Sequence, residues 1–329
     1  MTTNVTYREF NVADAAQIDA MATIWNEACG EALAISSKAM HYNVQPVSDG
    51  AVVGRLAYHG EQPVGFILAS ILDNAPRVAP PEIGWIDAVA VIPAAQKQGI
   101  GTALFTWAEQ WLSNHRRKVA IFGASQHPFA PGLPVELNHL PFLTQRGYQT
   151  DRTCWDVSAN LAMYETPEFL TKGHPELAGM VRPAQKGDEA ALLTFLRREF
   201  PGRWCFEFEE FLREQPGASK PRVSDFMLLW TERGVDGYCQ LTFEDSRRPL
   251  ERFFPYALPR PWGQLGSVGV SADARGRGYG LAVVDAGLRR LRDNGVNGCV
   301  IDWTTIVDFY GKFGFERYRE YHMLRKPLG

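Results

Sequence analysis

Two glycine turns offer the first chemistry in the chain: QKQGIG at 96–101 and RGRGYG at 275–280. Each follows a valine-rich segment and opens a stretch with helical spacing. Backbone N–H groups in the first turn of a helix have no intrahelical partner, and the helix dipole favours an anion there. Glycine lets a phosphate approach the main chain without a Cβ in the way. Strand, turn and helix together predict a pyrophosphate cradle. A Walker A loop would need GxxxxGK[ST], which neither turn has. A dinucleotide fingerprint would need a third glycine where Leu104 and Leu281 stand.

The elements that must position these turns occur twice. VAVIPAAQKQGIGTALFTWAEQWL (89–112) matches VGVSADARGRGYGLAVVDAGLRRL (268–291). Upstream, the segment 7–25 resembles 181–200; downstream, FLTQRGY (142–148) resembles FYGKFGF (309–315). The order is the same in both halves and only the spacers differ. One period of roughly 170 residues means two whole domains rather than a solenoid, and 329 residues suit two domains. Pro167, Gly173 and Pro175 interrupt regular structure between the copies. The sequence therefore predicts a first domain over 1–165, a linker over 166–180 and a second domain over 181–329.

Each half reads as a short strand, then a helix with Asp14 or Asp188 near its N-cap. Strands such as GAVVGRLAY, QPVGFILASIL, DFMLLWTE and GVDGYCQLTF come next. After the valine strand and the turn, Leu104, Trp107, Ala108 and Trp111 share one helix face, as do Val284, Gly287, Leu288 and Leu291. A further strand, a short helix and a closing strand complete the half.

Composition narrows the class. Hydrophobic residues make 45%, charged residues 22%, and the net charge is −3. These values fit a folded globular protein and not disorder. They lack the broad basic field of nucleic-acid binders, so nucleic acid is not an expected partner. No apolar run approaches the ~18 residues of a membrane span, and MTTNVTYREF lacks the apolar core of a secretory signal. The five cysteines are scattered without a CxxC, which predicts neither a zinc site nor a disulfide framework. A reduced, cytoplasmic setting is the expectation.

The pattern V-x-V-x-x-x-x-[RQ]-x-x-G-x-G fits Val89, Val91, Gln96, Gly99 and Gly101, and again Val268, Val270, Arg275, Gly278 and Gly280. Here the chain resembles the GNAT acyltransferase superfamily, over nearly its whole length and as two tandem copies. The resemblance implies an α/β (α+β) fold of two tandem acyl-CoA N-acyltransferase domains, each a mixed central sheet flanked by helices. It implies acetyl-CoA as cosubstrate and no metal. The coenzyme contacts it implies are Val89, Ala90, Val91, Gln96, Lys97, Gln98, Gly99, Ile100, Gly101 and Thr102 in the first half. In the second they are Val268, Gly269, Val270, Arg275, Gly276, Arg277, Gly278, Tyr279, Gly280 and Leu281. The valine strand would pair with pantetheine as a partial extra strand. Arg275 and Arg277 would strengthen the hold on phosphate, so the second cradle is expected to bind more tightly.

Acetyl transfer to an amine needs a base for the amine and a proton for the leaving thiolate. In the family a tyrosine four residues before a glycine–aromatic pair commonly supplies that proton. Tyr310 stands there before Gly314 and Phe315, whereas the first half has Leu143. A carboxylate on the valine strand often acts as base in relatives. Asp87 offers one in the first half, while its counterpart is Gly266, with Gln264 nearby. Glu244, Asp245, Asp302 or a water relay could complete the second site. The resemblance thus predicts catalysis in the C-terminal half with Tyr310 as general acid, and a degraded N-terminal site. Trp303 stands where many relatives carry asparagine.

The expected function is an N-acetyltransferase moving an acetyl group from acetyl-CoA to a primary amine by direct attack. The alternative is a non-catalytic acyl-CoA-binding sensor or regulatory protein. The tandem layout resembles that of the mycothiol synthase family. Gln264 stands where that family's glutamate base is expected, which leaves the acceptor open, a small-molecule amine being the first expectation. No membrane partner is expected, and the chain is read as a monomer with an intrachain pseudo-dimer, or as a homodimer. Two inserts remain. The proline-rich loop over 122–141, with His127 and His139, reads as an ordered arm over the first site or the interdomain groove. The segment 244–264, mixing arginines with aromatics, reads as an aromatic-anchored loop with a basic edge.

Overall fold

Apolar alternation over 50–72 folds into a long hairpin, and the rest of the first half is laid on it. The computed structural model describes residues 5–213 and 222–329; the first four residues of the stretch read for a secretory signal lie outside it. The chain divides into two compact units. The first runs to Cys154 and takes in Arg319–Gly329; the second is Trp155–Tyr318.

The elements of the first half are β1 (Val5–Glu9), α1 (Ala15–Cys29), α2 (Ser37–Asn43), β2 (Gly50–His59), β3 (Gln62–Leu72), β4 (Ile83–Val91), α3 (Ile100–Asn114), β5 (Val119–Phe122), β6 (Leu133–Pro134), α4 (Leu140–Gln145) and β7 (Gln149–Asn160). Strands β1 to β4 are successively antiparallel, and β4 pairs with β5 in parallel. Helix α1 starts where the Asp14 carboxylate accepts the N–H of Gln17 and ends at Gly30, whose φ is 79°. Its buried stripe is Ile18, Met21, Ala22 and Trp25, one face at helical spacing. Helix α3 buries Leu104, Phe105, Ala108 and Leu112. Trp107 is half-buried beneath the Arg55 guanidinium, 4.8 Å from its ring.

The elements that follow are α5 (Glu168–Thr171), β8 (Val181–Pro183), α6 (Glu189–Glu199), α7 (Arg203–Leu212), β9 (Phe226–Thr231), β10 (Gly234–Phe243), β11 (Trp262–Val270), α8 (Tyr279–Asp293), β12 (Gly298–Thr304), α9 (Val307–Gly311) and β13 (Glu316–Pro327). In the second unit the strand order is β8-β9-β10-β11-β12, extended by the end of β7, which pairs antiparallel with β12. The last strand serves the first unit: Leu324–Pro327 of β13 pairs antiparallel with β5. The first unit is therefore built from two separate runs of sequence, while the second is one continuous run. The segment around α5 is packed rather than extended, with Leu170 and Leu177 in the core of the second unit. Among the described residues no helix is long and apolar enough to cross a membrane.

Candidate functional site

The first unit builds a cleft from one irregularity and one divergence. Strand β3 pairs Leu68 with Ala88 and Ala69 with Ile86, so Asp87 is the extra residue of a bulge. Bulges re-aim side chains and loosen the ladder. On its other edge β4 pairs with β5 only from Ile83 to Ile86, and the Gly123 N–H donates to the Ile86 carbonyl at that point. Past it, Asp87–Val91 lines a cavity of about 550 Å³.

The glycine turn lines the same cavity through Gln96, Lys97, Gly99, Gly101 and Thr102. Gly99 caps α3 at φ 82° without a side-chain cap, leaving the first-turn amides to an external acceptor. A Cβ at Gly99 would meet nothing within 4 Å. Gln96 and Gln98 brace the turn, donating from Nε2 to the carbonyls of Val91 at 3.0 Å and Ala94 at 3.1 Å. Ile100 is buried beneath it. The proline-rich arm supplies Phe129, Leu133, Pro134, Leu137 and His139 as walls, and Leu143 lines the cavity as well.

Asp87 is 8% exposed. Burial pushes its carboxyl up to about 6, against hydrogen bonds from Ser125 and Ser70 that pull it down. Ser70 Oγ donates to Asp87 Oδ1 at 2.9 Å. A carboxylate in that range is ionised at neutral pH and still basic enough to take a proton. Cys29 also lines the cavity, and burial pushes its thiol up to about 12, far from nucleophilic thiolate. Ser70, Ser125 and Cys29 carry no sequence motif; they meet Asp87 or the cavity only through the fold.

The second unit repeats the backbone of the site and fills its space. Strand β11 pairs in parallel with β12 only over Trp262–Gln264, and a register shift separates Tyr238↔Gly269 from Gln240↔Gly266. The turn has the same glycine geometry, with φ 81° at Gly276 and 78° at Gly278. A Cβ at Gly278, however, would lie 3.0 Å from both the His174 ring and Leu177. Val268, Tyr279 and Leu281 pack against a core that contains Leu170, Leu177, Ala282 and Tyr310. Gly269 lies close under the Phe200 ring, and Gly280 faces Phe309. Tyr310 is 6% exposed, its phenol raised by burial, with the Phe309 ring centroid 5.1 Å away. Arg275 and Arg277 lie within the turn, and Val270 ends the strand before it.

At the counterpart of Asp87 the difference is chemical. A side chain at Gly266 would collide with the Gln264 amide. Gln264 is buried and bonded at both amide atoms: Thr242 Oγ1 donates to its Oε1 at 2.7 Å, and its Nε2 donates to Asp302 Oδ1 at 2.7 Å. Trp303 sits at φ 52° with the Arg203 guanidinium over its ring. In the insert before β11, Arg260 lies 4.3 Å from the Trp262 ring centroid and pairs with Glu244, while Arg248 and Arg252 stack on Phe253.

Known proteins resemble this chain in sequence and in fold. The curated mycothiol acetyltransferase of Saccharomonospora viridis is 30% identical over 235 residues, covering 69% of each chain. That of Nocardia farcinica is 27% identical over 237 residues, again 69% of each. Among solved structures, a glucosamine N-acetyltransferase region in a fungal multi-domain GH3 β-N-acetylglucosaminidase superposes with a TM-score of 0.84 at 20% identity. It covers 99% of this chain, which spans only 38% of that longer protein. A tandem GNAT protein from the clavulanic acid biosynthesis pathway gives 0.65 at 15% identity, covering 99% of both chains. The sequence model of the Acetyltransferase (GNAT) family matches residues 18–127 and again 190–315. The chain, an acyltransferase with two such regions in tandem, belongs to the GNAT acetyltransferase family.

Proposed function

We propose that the protein moves the acetyl group of acetyl-CoA to a primary amine by direct attack, in the cleft of the first unit, with Asp87 as general base. One observation carries this reading: a bulged, buried, titratable carboxylate and an open glycine turn line a single cavity. The turn amides of 99–102, with Lys97, receive the pyrophosphate. The edge of β4 over Val89, Ala90 and Val91 receives the pantetheine as a partial strand. Asp87 takes a proton from the amine. As the N–C bond forms and the C–S bond breaks, the second nitrogen proton passes to the departing sulfur, since Leu143 has none to give. A protonated Cys29 favours this direct route over an acetyl-cysteine intermediate. The scattered free cysteines suit a reduced cytoplasmic setting.

A second reading keeps catalysis at Tyr310 in the second unit, favoured by the two arginines beside that turn. It requires the His174–Leu177 segment to leave Gly278. A third is a sensor that binds coenzyme without turnover. Thiol release with a panel of amines, glucosamine and the mycothiol acetyltransferase acceptor among them, separates the three. Activity lost in Asp87→Asn and kept in Tyr310→Phe supports the first unit, and the reverse assigns the second. Coenzyme binding with no turnover on the panel favours the sensor.

A further inference from the structure

A cavity of about 410 Å³ lies in the second unit between helix α8 and the segment 166–181, within the ~300–1,000 Å³ of small-molecule sites. Its helix side is Ala282, Asp285, Ala286 and Arg289, one face at i, i+3, i+4 and i+7. By the repeat, Ala286 corresponds to Trp107. The first unit fills that position with an indole beneath Arg55; the second has a methyl group, and space remains. The segment over it is tied at both ends. Tyr164 Oη donates to Asp285 Oδ1 at 2.9 Å, and the Trp230 N–H donates to the Met180 carbonyl at 2.9 Å. Leu170, Pro175, Leu177 and Val181 give the cavity a largely apolar wall. Its charge is arranged by one buried carboxylate. Asp285, 4% exposed, accepts at Oδ2 from Thr166 Oγ1 at 3.2 Å and from Arg289 Nε at 2.9 Å. Arg289 is thus oriented through Nε, and its two terminal nitrogens donate to no group among the described residues. The neighbouring carboxylate, Glu176, is paired with His174 Nδ1 at 3.3 Å. A guanidinium held in this way presents the paired donors that match a carboxylate.

We infer that this cavity binds a small monocarboxylate with an apolar body. The carboxylate lies on the terminal nitrogens of Arg289, and the hydrocarbon packs against Leu170, Leu177 and Ala286. The site shares no residue with the cleft of the first unit, and the inference does not rest on Asp87.

Two experiments on the full chain test it. In ligand-observed NMR with saturating coenzyme A, which fills the cleft of the first unit, sodium hexanoate should still bind. The uncharged 1-hexanol should bind at least about tenfold more weakly, lacking the charged pair of acceptors. Arg289→Gln leaves Asp285 its bonds from Tyr164 and Thr166. It should weaken hexanoate by roughly 10–100-fold, the worth of hydrogen bonds between charged groups, without moving 1-hexanol or the affinity for coenzyme A. Ala286→Trp restores the side chain of the first unit and should abolish binding of both probes. No hexanoate binding in saturating coenzyme A, equal affinity for the two probes, or an unchanged affinity in Arg289→Gln overturns the site. Crystals soaked in 6-bromohexanoate should show an anomalous bromine peak between Leu170 and Ala286. A peak only elsewhere overturns it as well.

Discussion

The two halves of the chain carry the same glycine turn and put it to different use. Around Gly99 there is open space; at Gly278 the space is taken by His174 and Leu177. On the strand before the turn, one half holds a bulged carboxylate with an unpartnered oxygen. The other holds a glutamine whose amide is closed between Thr242 and Asp302. The half with the richer motif, two arginines and a well-placed tyrosine, is thus the half whose turn is covered. Both turns place glycine at positive φ, at Gly99, Gly276 and Gly278, and that backbone conformation calls for glycine whether or not a ligand arrives. The ability to bind depends on what else fills the cleft, which lies outside the motif.

The comparison breaks most sharply at the base. Asp87→Asn should cut turnover by about 10²–10⁴, the reach of one general base, with coenzyme affinity unchanged, while Tyr310→Phe stays near wild type. Steady-state kinetics beside calorimetry of coenzyme binding reads both, and the opposite pattern would reverse the roles of the units.

Binding should be equally lopsided. Calorimetry should find one strong coenzyme site per chain. Gly99→Glu should weaken it by about 100-fold or more, since a like charge against the pyrophosphate costs several kcal/mol. Gly278→Glu should leave it intact. Two equal sites, or a larger loss from Gly278→Glu, would show that the covered turn opens in solution.

The pH profile sharpens the assignment. With its carboxyl raised to about 6, Asp87 must lose its proton to act, so kcat/KM should fall as pH drops through about 6 and level off above it. Ser70→Ala removes a hydrogen bond that favours the ionised form and should move this limb upward by about one pH unit. The folded-state value lies above the unfolded one, so ionising Asp87 opposes folding. That penalty is absent below pH ~4, grows from ~4 to ~6 and is full above. Asp87→Asn should therefore unfold no more easily than wild type at pH 7, and its advantage should vanish below pH 4. Denaturant melts at the two pH values check this.

The smallest effect concerns the cover of the second turn. Leu177→Ala should cost about 2–5 kcal/mol of stability, the usual result of truncating a buried leucine. Combined with His174→Ala, it should admit a second, weaker equivalent of coenzyme. A double variant that folds and still binds one equivalent would mean that the second unit lacks more than space.

The last lesson is about reach along the chain. The repeat, the strand–turn–helix units and the glycines at 99, 276 and 278 were legible because each is encoded within about 15 residues by periodicity and by φ values that glycine permits. Asp87 was legible as a carboxylate on the valine strand, but its bulge was not, since a bulge is a property of the pairing with Leu68 and Ala69. Nor could the sequence say that the final strand pairs with β5, or that the segment read as a linker returns to cover Gly278 across a separation of about 100 residues. The cavity drawn from Leu170, Pro175, Val181 and Arg289 has no spacing rule at all. Local backbone geometry is written in neighbouring residues; whether a cleft is open, and which groups line it, is decided by long-range packing that only the tertiary structure fixes.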